Sequence, residues 1–146
     1  MDAYWDTSCV LKLYCLEADS AEYVRRIEIA AEPLVSSVLL SSELAFAFHQ
    51  KELRGEISVG SADLLCKKFA GDVLAGRFTL IPFGGDVQRE ARRIAGLCYR
   101  GPTPIPLRTL DGLHLASARL AGCKAIFTTD SRMRSAAALV GLAIAS

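Results

Sequence analysis

The sequence predicts an α/β fold, a three-layer sandwich with a mainly parallel central sheet flanked by helices. Three observations predict it. Short apolar segments alternate with stretches of helical length and periodicity, the pattern of strand-helix-strand crossovers. Turn and cap signals separate them, with Gly, Pro or Asp at nearly every junction. The 146 residues, 51% of them hydrophobic, suffice to bury one core, so a single domain over 1–146 is expected.

In order along the chain, Tyr4-Trp5 is a short strand running into Asp6, and the apolar run Cys9 to Leu16, broken only by Lys12, is a buried helix. Asp19-x-x-Glu22 has the form of a capping box for a second helix, with Tyr23, Ile27 and Ala30 at helical spacing and Pro33 as its stop. Leu34-Val35 is a strand, and helices follow over 37–53 and 61–75. Phe78 to Ile81 is rich in strand formers and is closed by Pro82; Asp86 to Leu97 is an amphipathic, Arg-rich helix. The segment 101–106 holds three of the five prolines and must be a loop. Asp111 to Ala121 is a helix with Gly122 just past its end, Ala125 to Thr128 a strand, and a final helix from Asp130 precedes an edge strand at Leu142 to Ile144.

Composition excludes several classes. A net charge of +1 and the high apolar fraction exclude disorder. Charges interrupt every apolar stretch before it reaches membrane-spanning length, and the N-terminus lacks the basic and apolar regions of a secretory signal, so a cytoplasmic protein without a membrane segment is expected. Five dispersed cysteines without a C-x-x-C pair read as reduced core residues. Charge is uneven: residues 1–60 carry 5 basic and 10 acidic side chains, residues 61–146 carry 12 and 6. That polarity suits a polyanion on one side of the fold, or a merely soluble surface.

In a parallel α/β sheet, ligands bind beyond the carboxyl ends of the strands. Asp6 and Asp130 follow strands and should meet there, with Asp111 reaching the same edge from the loop before it. Glu43 has Leu39, Leu40, Phe46 and Ala47 as its helical neighbours, an acid on an apolar stripe that needs a cation, a donor or a metal to compensate it. Taken singly, the three aspartates also read as helix N-caps and Glu43 as a helix edge reaching water. Taken together, gathered acids repel one another and call for Mg²⁺ or Mn²⁺. His114, three residues after Asp111, and His49, near the end of the Glu43 helix, leave a His-metal or nucleophile site conceivable, although both fit structural roles. The P-loop, dinucleotide and α/β-hydrolase motifs are absent.

These residues resemble a known family. The opening from Tyr4 through Asp6-Thr7-Ser8 to Tyr14 is similar to that of PIN-domain proteins, particularly VapC-type toxins of toxin-antitoxin pairs. Ser42-Glu43-Leu44 resembles the family's acidic helix, Leu107 to Ala116 its third acidic segment, and Thr128-Thr129-Asp130 its fourth, all in the same order. The departures are Gly112 beside an acid and Cys9 where an aliphatic residue is usual. The resemblance implies a metal-dependent endoribonuclease in which Asp6, Glu43, Asp111 and Asp130 gather around one or two Mg²⁺ or Mn²⁺ ions, with a homodimer and a cognate antitoxin that occupies the active-site groove. Ser8 and Thr128 are then supporting hydroxyls, and Lys12, Arg108, Arg132 and Arg134, beside the acidic segments, guide RNA. Two rivals stand beside this reading: a scaffold of the same fold without catalysis, and a nuclease acting on DNA or in RNA processing.

Overall fold

The computed structural model describes residues 3–30 and 32–145; Met1, Asp2, Ala31, Ser146 and the side chains of Ile29 and Ala30 lie outside that description. Strand β1 (Ala3–Trp5) leads through α1 (Thr7–Tyr14) and α2 (Ser20–Ala30) to β2 (Leu34–Ser37). Helices α3 (Leu39–Leu53) and α4 (Ser61–Leu74) connect it to β3 (Phe78–Ile81), and α5 (Gly85–Tyr99) and α6 (Thr109–Leu120) carry the chain to β4 (Ala125–Phe127). Then α7 (Ser131–Leu139) reaches the edge strand β5 (Ala143–Ile144).

Every strand pair is parallel, in the order β3-β2-β1-β4-β5. The sheet grows outward from β1 in two directions, so the gap between β1 and β4 is its topological switch point. A ligand crevice forms there in open sheets of this kind. Tyr4 pairs in register with both Val35 and Ile126.

Alternation along the strands divides the core in two. Tyr4, Val35 and Ile126 face one way and pack with Ile94 and Cys98 of α5, Leu115 of α6 and Met133 of α7. Trp5, Leu34 and Phe78 face the other way and pack with Cys9 and Val10 of α1, Leu40, Leu44 and Phe48 of α3, and Phe69 of α4. Helices α1, α3 and α4 thus cover one face and α5 to α7 the other, the three layers that the alternating pattern predicts. Ile94 is fully buried. Ile94→Val should lower stability by about 1 kcal/mol in urea unfolding, the usual consequence of one missing core methyl group.

Several local expectations are met. Gly122 takes φ 75° just past α6, a conformation that favours glycine; 101–106 contains neither helix nor strand; and all five cysteines are free. Others need correction. The first helix starts at Thr7 and ends at Tyr14, leaving Leu16, read from the sequence as a buried helix residue, 96% exposed. No capping box closes on α2, because Asp19 accepts from Lys12 and Glu22 pairs with Arg26; cations outcompete the first-turn amides for both carboxylates. The stripe of α3 that packs inward is Leu40, Leu44 and Phe48, spaced by four, whereas Phe46 is 74% exposed. Glu43 therefore stands on the flank of that stripe, half-buried. Helix α6 begins at Thr109, with Arg108 at the N-cap, so Asp111 lies in the first turn and does not start the helix.

Candidate active site

Asp6 follows β1 directly and is buried. Its Oδ1 caps α1 by accepting from the Cys9 amide at 3.0 Å and also accepts from the Ser8 hydroxyl at 2.6 Å. Its Oδ2 accepts from Thr128 Oγ1 at 2.5 Å, across the switch point. Burial pushes the Asp6 carboxyl above the usual range, while the two hydroxyls and the amide pull it back. None of these donors carries a formal charge. An ionised Asp6 is thus the buried acid with the strongest need of a cation.

Asp130 caps α7 in the same manner, Oδ1 accepting from the Met133 amide at 2.9 Å, and its own amide donates to Thr128 Oγ1 at 3.1 Å. One threonine hydroxyl thereby joins Asp6 to Asp130. The sequence offered helix capping and site membership as alternatives for these two aspartates; the structure gives capping to one oxygen of each and leaves the second for other partners.

Asp111 and Asp130 share Arg108. Its Nε donates to Asp111 Oδ2 at 3.0 Å and its Nη2 lies 3.5 Å from Asp130 Oδ2. The two carboxylates hold the guanidinium still more firmly protonated than usual, Asp111 most strongly. Glu43 reaches the same edge from α3, which leaves the carboxyl end of β2. It accepts from Thr7 at the start of α1 and contacts His114 Nε2.

The four acids thus come from β1, α3, α6 and the β4–α7 junction to one edge of the sheet. Their donor set, carboxylate and hydroxyl oxygen, has the hardness that Mg²⁺ and Mn²⁺ select, and in chemistry it fits such an ion. As placed, each acid is turned toward its own protein donor, and among the described residues no three Asp, Glu, His or Cys side chains converge into one cage. The three aspartates are linked through Thr128 and through Arg108, and Glu43 joins neither link. Arg108, whose side chain is mostly exposed, is the cation that both Asp111 and Asp130 hold in this structure.

The remaining candidates divide by environment. Ser8 and Thr128 both bond to Asp6. The Lys12 side chain is only 12% exposed and its ammonium is held by Glu17 and Asp19. Lys12→Met should destabilise the fold by about 1 kcal/mol, measurable by thermal or urea unfolding, because two carboxylates lose one partly buried partner. Arg134 donates to the Thr128 carbonyl at 3.1 Å, and Arg132 is exposed beside Asp130. His49 lies at the far end of α3 near Asp63 and plays no part at this edge. The sequence reading left Tyr4 and Thr7 out and held His114 apart as a helical neighbour of Asp111. The structure bonds His114 to Tyr4 and to Glu43. The spacing of three from Asp111 was the available signal, but the partner that matters is 71 positions away.

Two comparisons with known proteins bear on this arrangement. The PIN domain matches residues 3–139. Ribonuclease VapC46 of Mycobacterium tuberculosis (strain ATCC 25618 / H37Rv) is 34% identical over 143 residues, covering 97% of this chain and 94% of that protein. The matched span includes all four acids and every strand but β5, so the chain belongs to the PIN domain family and, within it, to the VapC type.

Proposed function

We propose that this PIN-domain protein is a metal-dependent endoribonuclease, the toxin of a toxin-antitoxin pair. The feature that supports it most is that four separate elements bring Asp6, Glu43, Asp111 and Asp130 to the same edge of a parallel sheet, about its switch point. A relative whose name is that of a ribonuclease supports the choice of RNA.

Asp6, Asp111 and Asp130 hold Mg²⁺ or Mn²⁺, with Glu43 as a further ligand or as the acceptor that orients the attacking water. The chemistry such an ion supplies is charge neutralisation at the phosphodiester and a more acidic water. Ser8 and Thr128 fix the Asp6 carboxylate by donating to both of its oxygens. With an ion held by the acids, Arg108 would be available to a phosphate, and Arg132 and Arg134 would extend the positive edge along α7. Lys12, held by two carboxylates, contributes to the fold of this region.

Millimolar Mn²⁺ should raise the melting temperature of the wild type, because the folded acids bind the ion and the unfolded chain has no formed site. A wild-type melting temperature insensitive to Mn²⁺ and Mg²⁺ counts against the metal site. The function itself is tested by incubating the purified protein with RNA and with DNA in Mn²⁺, Asp6→Asn serving as control. Metal-dependent cuts within RNA support the reading; DNA as the better substrate, or no cleavage at all, sinks it.

The proposed partners are RNA, a cognate antitoxin and a second copy of the chain, in the cytoplasm. No helix among the described residues is long and apolar enough to cross a membrane. A groove of about 450 Å³ between α3 and α4, floored by the buried Leu44, Phe48 and Phe69 and edged by the exposed Leu74, supplies apolar surface for protein partners. Expression in a bacterial host should arrest growth, and co-expression of the antitoxin should restore it.

A further inference from the structure

Glu43 is gripped by one oxygen. His114 Nε2 lies 2.5 Å from Oε1 and Thr7 Oγ1 donates to the same atom at 3.0 Å, while among the described residues no donor reaches Oε2. The His114 side chain is 3% exposed, so its ring cannot rely on water for its hydrogen bonds. Its Nδ1 is 2.6 Å from the hydroxyl of Tyr4, itself fully buried. A carboxylate oxygen only accepts, so the contact with Oε1 places the ring proton on Nε2, which donates it to Glu43. With Nε2 donating, Nδ1 accepts from the Tyr4 hydroxyl.

We propose that His114 is a positioning residue for the carboxylate site. Tyr4, His114 and Thr7 fix the rotamer of Glu43 so that Oε2 alone is presented to the cation or to the attacking water. Tyr4 stands two residues before Asp6 on the same run of chain, and His114 one turn after Asp111 on α6. Two hydrogen bonds therefore lock together the three elements that carry Asp6, Asp111 and Glu43. Partners that hold a metal-ligating side chain in this manner typically contribute 10- to 100-fold in metal affinity or activity. The inference rests on the nuclease reading above. A purely structural His114 would satisfy Tyr4 and leave the site indifferent to its loss.

The test uses the full chain and four variants: His114→Leu, His114→Gln, Tyr4→Phe and Glu43→Gln. Mn²⁺ affinity is read by electron paramagnetic resonance, folded fraction by urea unfolding, and kcat and KM by RNA cleavage. His114→Leu should weaken Mn²⁺ binding and lower kcat, each by about 10- to 100-fold per folded molecule, with KM for RNA within about twofold of wild type. His114→Gln, which can still present an amide N–H to Glu43, should recover most of that loss, and Tyr4→Phe should show a smaller loss of the same kind. In a Glu43→Gln background, His114→Leu should have little further effect, because the route through Glu43 is already cut. Should His114→Leu fail to fold, Tyr4→Phe, which nearly conserves volume, carries the loss and His114→Gln serves as its control. Wild-type Mn²⁺ affinity and kcat in His114→Leu, or in Tyr4→Phe where His114→Leu does not fold, overturn the proposal, as does a His114→Leu loss that persists undiminished over Glu43→Gln. A wild type that neither binds Mn²⁺ nor cuts RNA overturns the nuclease reading itself, a result visible before any variant is compared.

Discussion

Asp6→Asn should reduce metal-dependent RNA cleavage by about a hundred- to a thousandfold, the scale on which removing one group that stabilises developing charge acts. The substitution keeps the oxygen that accepts from Ser8 and Cys9, so the cap of α1 survives. Its effect on stability has a definite sign. Burial raises the native pKa of Asp6, so the wild-type fold loses stability as the pH rises from the carboxyl's unfolded value through its native one. Asparagine does not titrate. In EDTA at neutral pH, Asp6→Asn should be the more stable protein, and near pH 3 the advantage should disappear. In millimolar Mn²⁺ the order should reverse, because only the wild type gains from binding the ion. Urea unfolding under the three conditions checks this; a variant less stable than wild type in EDTA would show that the charge is well accommodated without a cation.

Glu43→Gln should lower cleavage by about a hundredfold while leaving stability in EDTA within about 1 kcal/mol of wild type. The packing on α3 explains the second figure. The buried stripe is Leu40, Leu44 and Phe48, so Glu43 does not sit unpaired among apolar neighbours, and glutamine keeps an acceptor for Thr7 and His114. What it loses is the charge and the open second oxygen. A variant that is clearly destabilised yet keeps the wild-type cleavage rate per folded molecule would remove Glu43 from the active site and leave it a helix-packing role.

Phe78 to Ile81 matches its observed strand residue for residue because its signals are local: β-branched and aromatic side chains with a closing proline. Asp6 and Asp130 were legible as site candidates for a comparable reason, since each directly follows or closely trails a strand and parallel topology brings those ends together. What escaped the sequence was choice among partners. Asp19 had both a helix amide and a lysine within reach, and the lysine took it. Arg108, an expected contact for RNA, also pairs with Asp111 and Asp130, since an exposed guanidinium settles on the nearest carboxylate pair. His114 depends on a tyrosine 110 positions away, and no spacing within one segment encodes that.

The position of β1 in the middle of the sheet orders events during synthesis. Its neighbours are β2 on one side and β4 on the other, and the latter contact joins Ala3 to Ala125 and Trp5 to Phe127. A chain emerging from the ribosome can pair β1 with β2 early, yet it has no crevice between β1 and β4 until both Phe127 and Asp130 have been made. Because domains of this size fold largely as units, the nascent polypeptide has no competent centre for most of its translation.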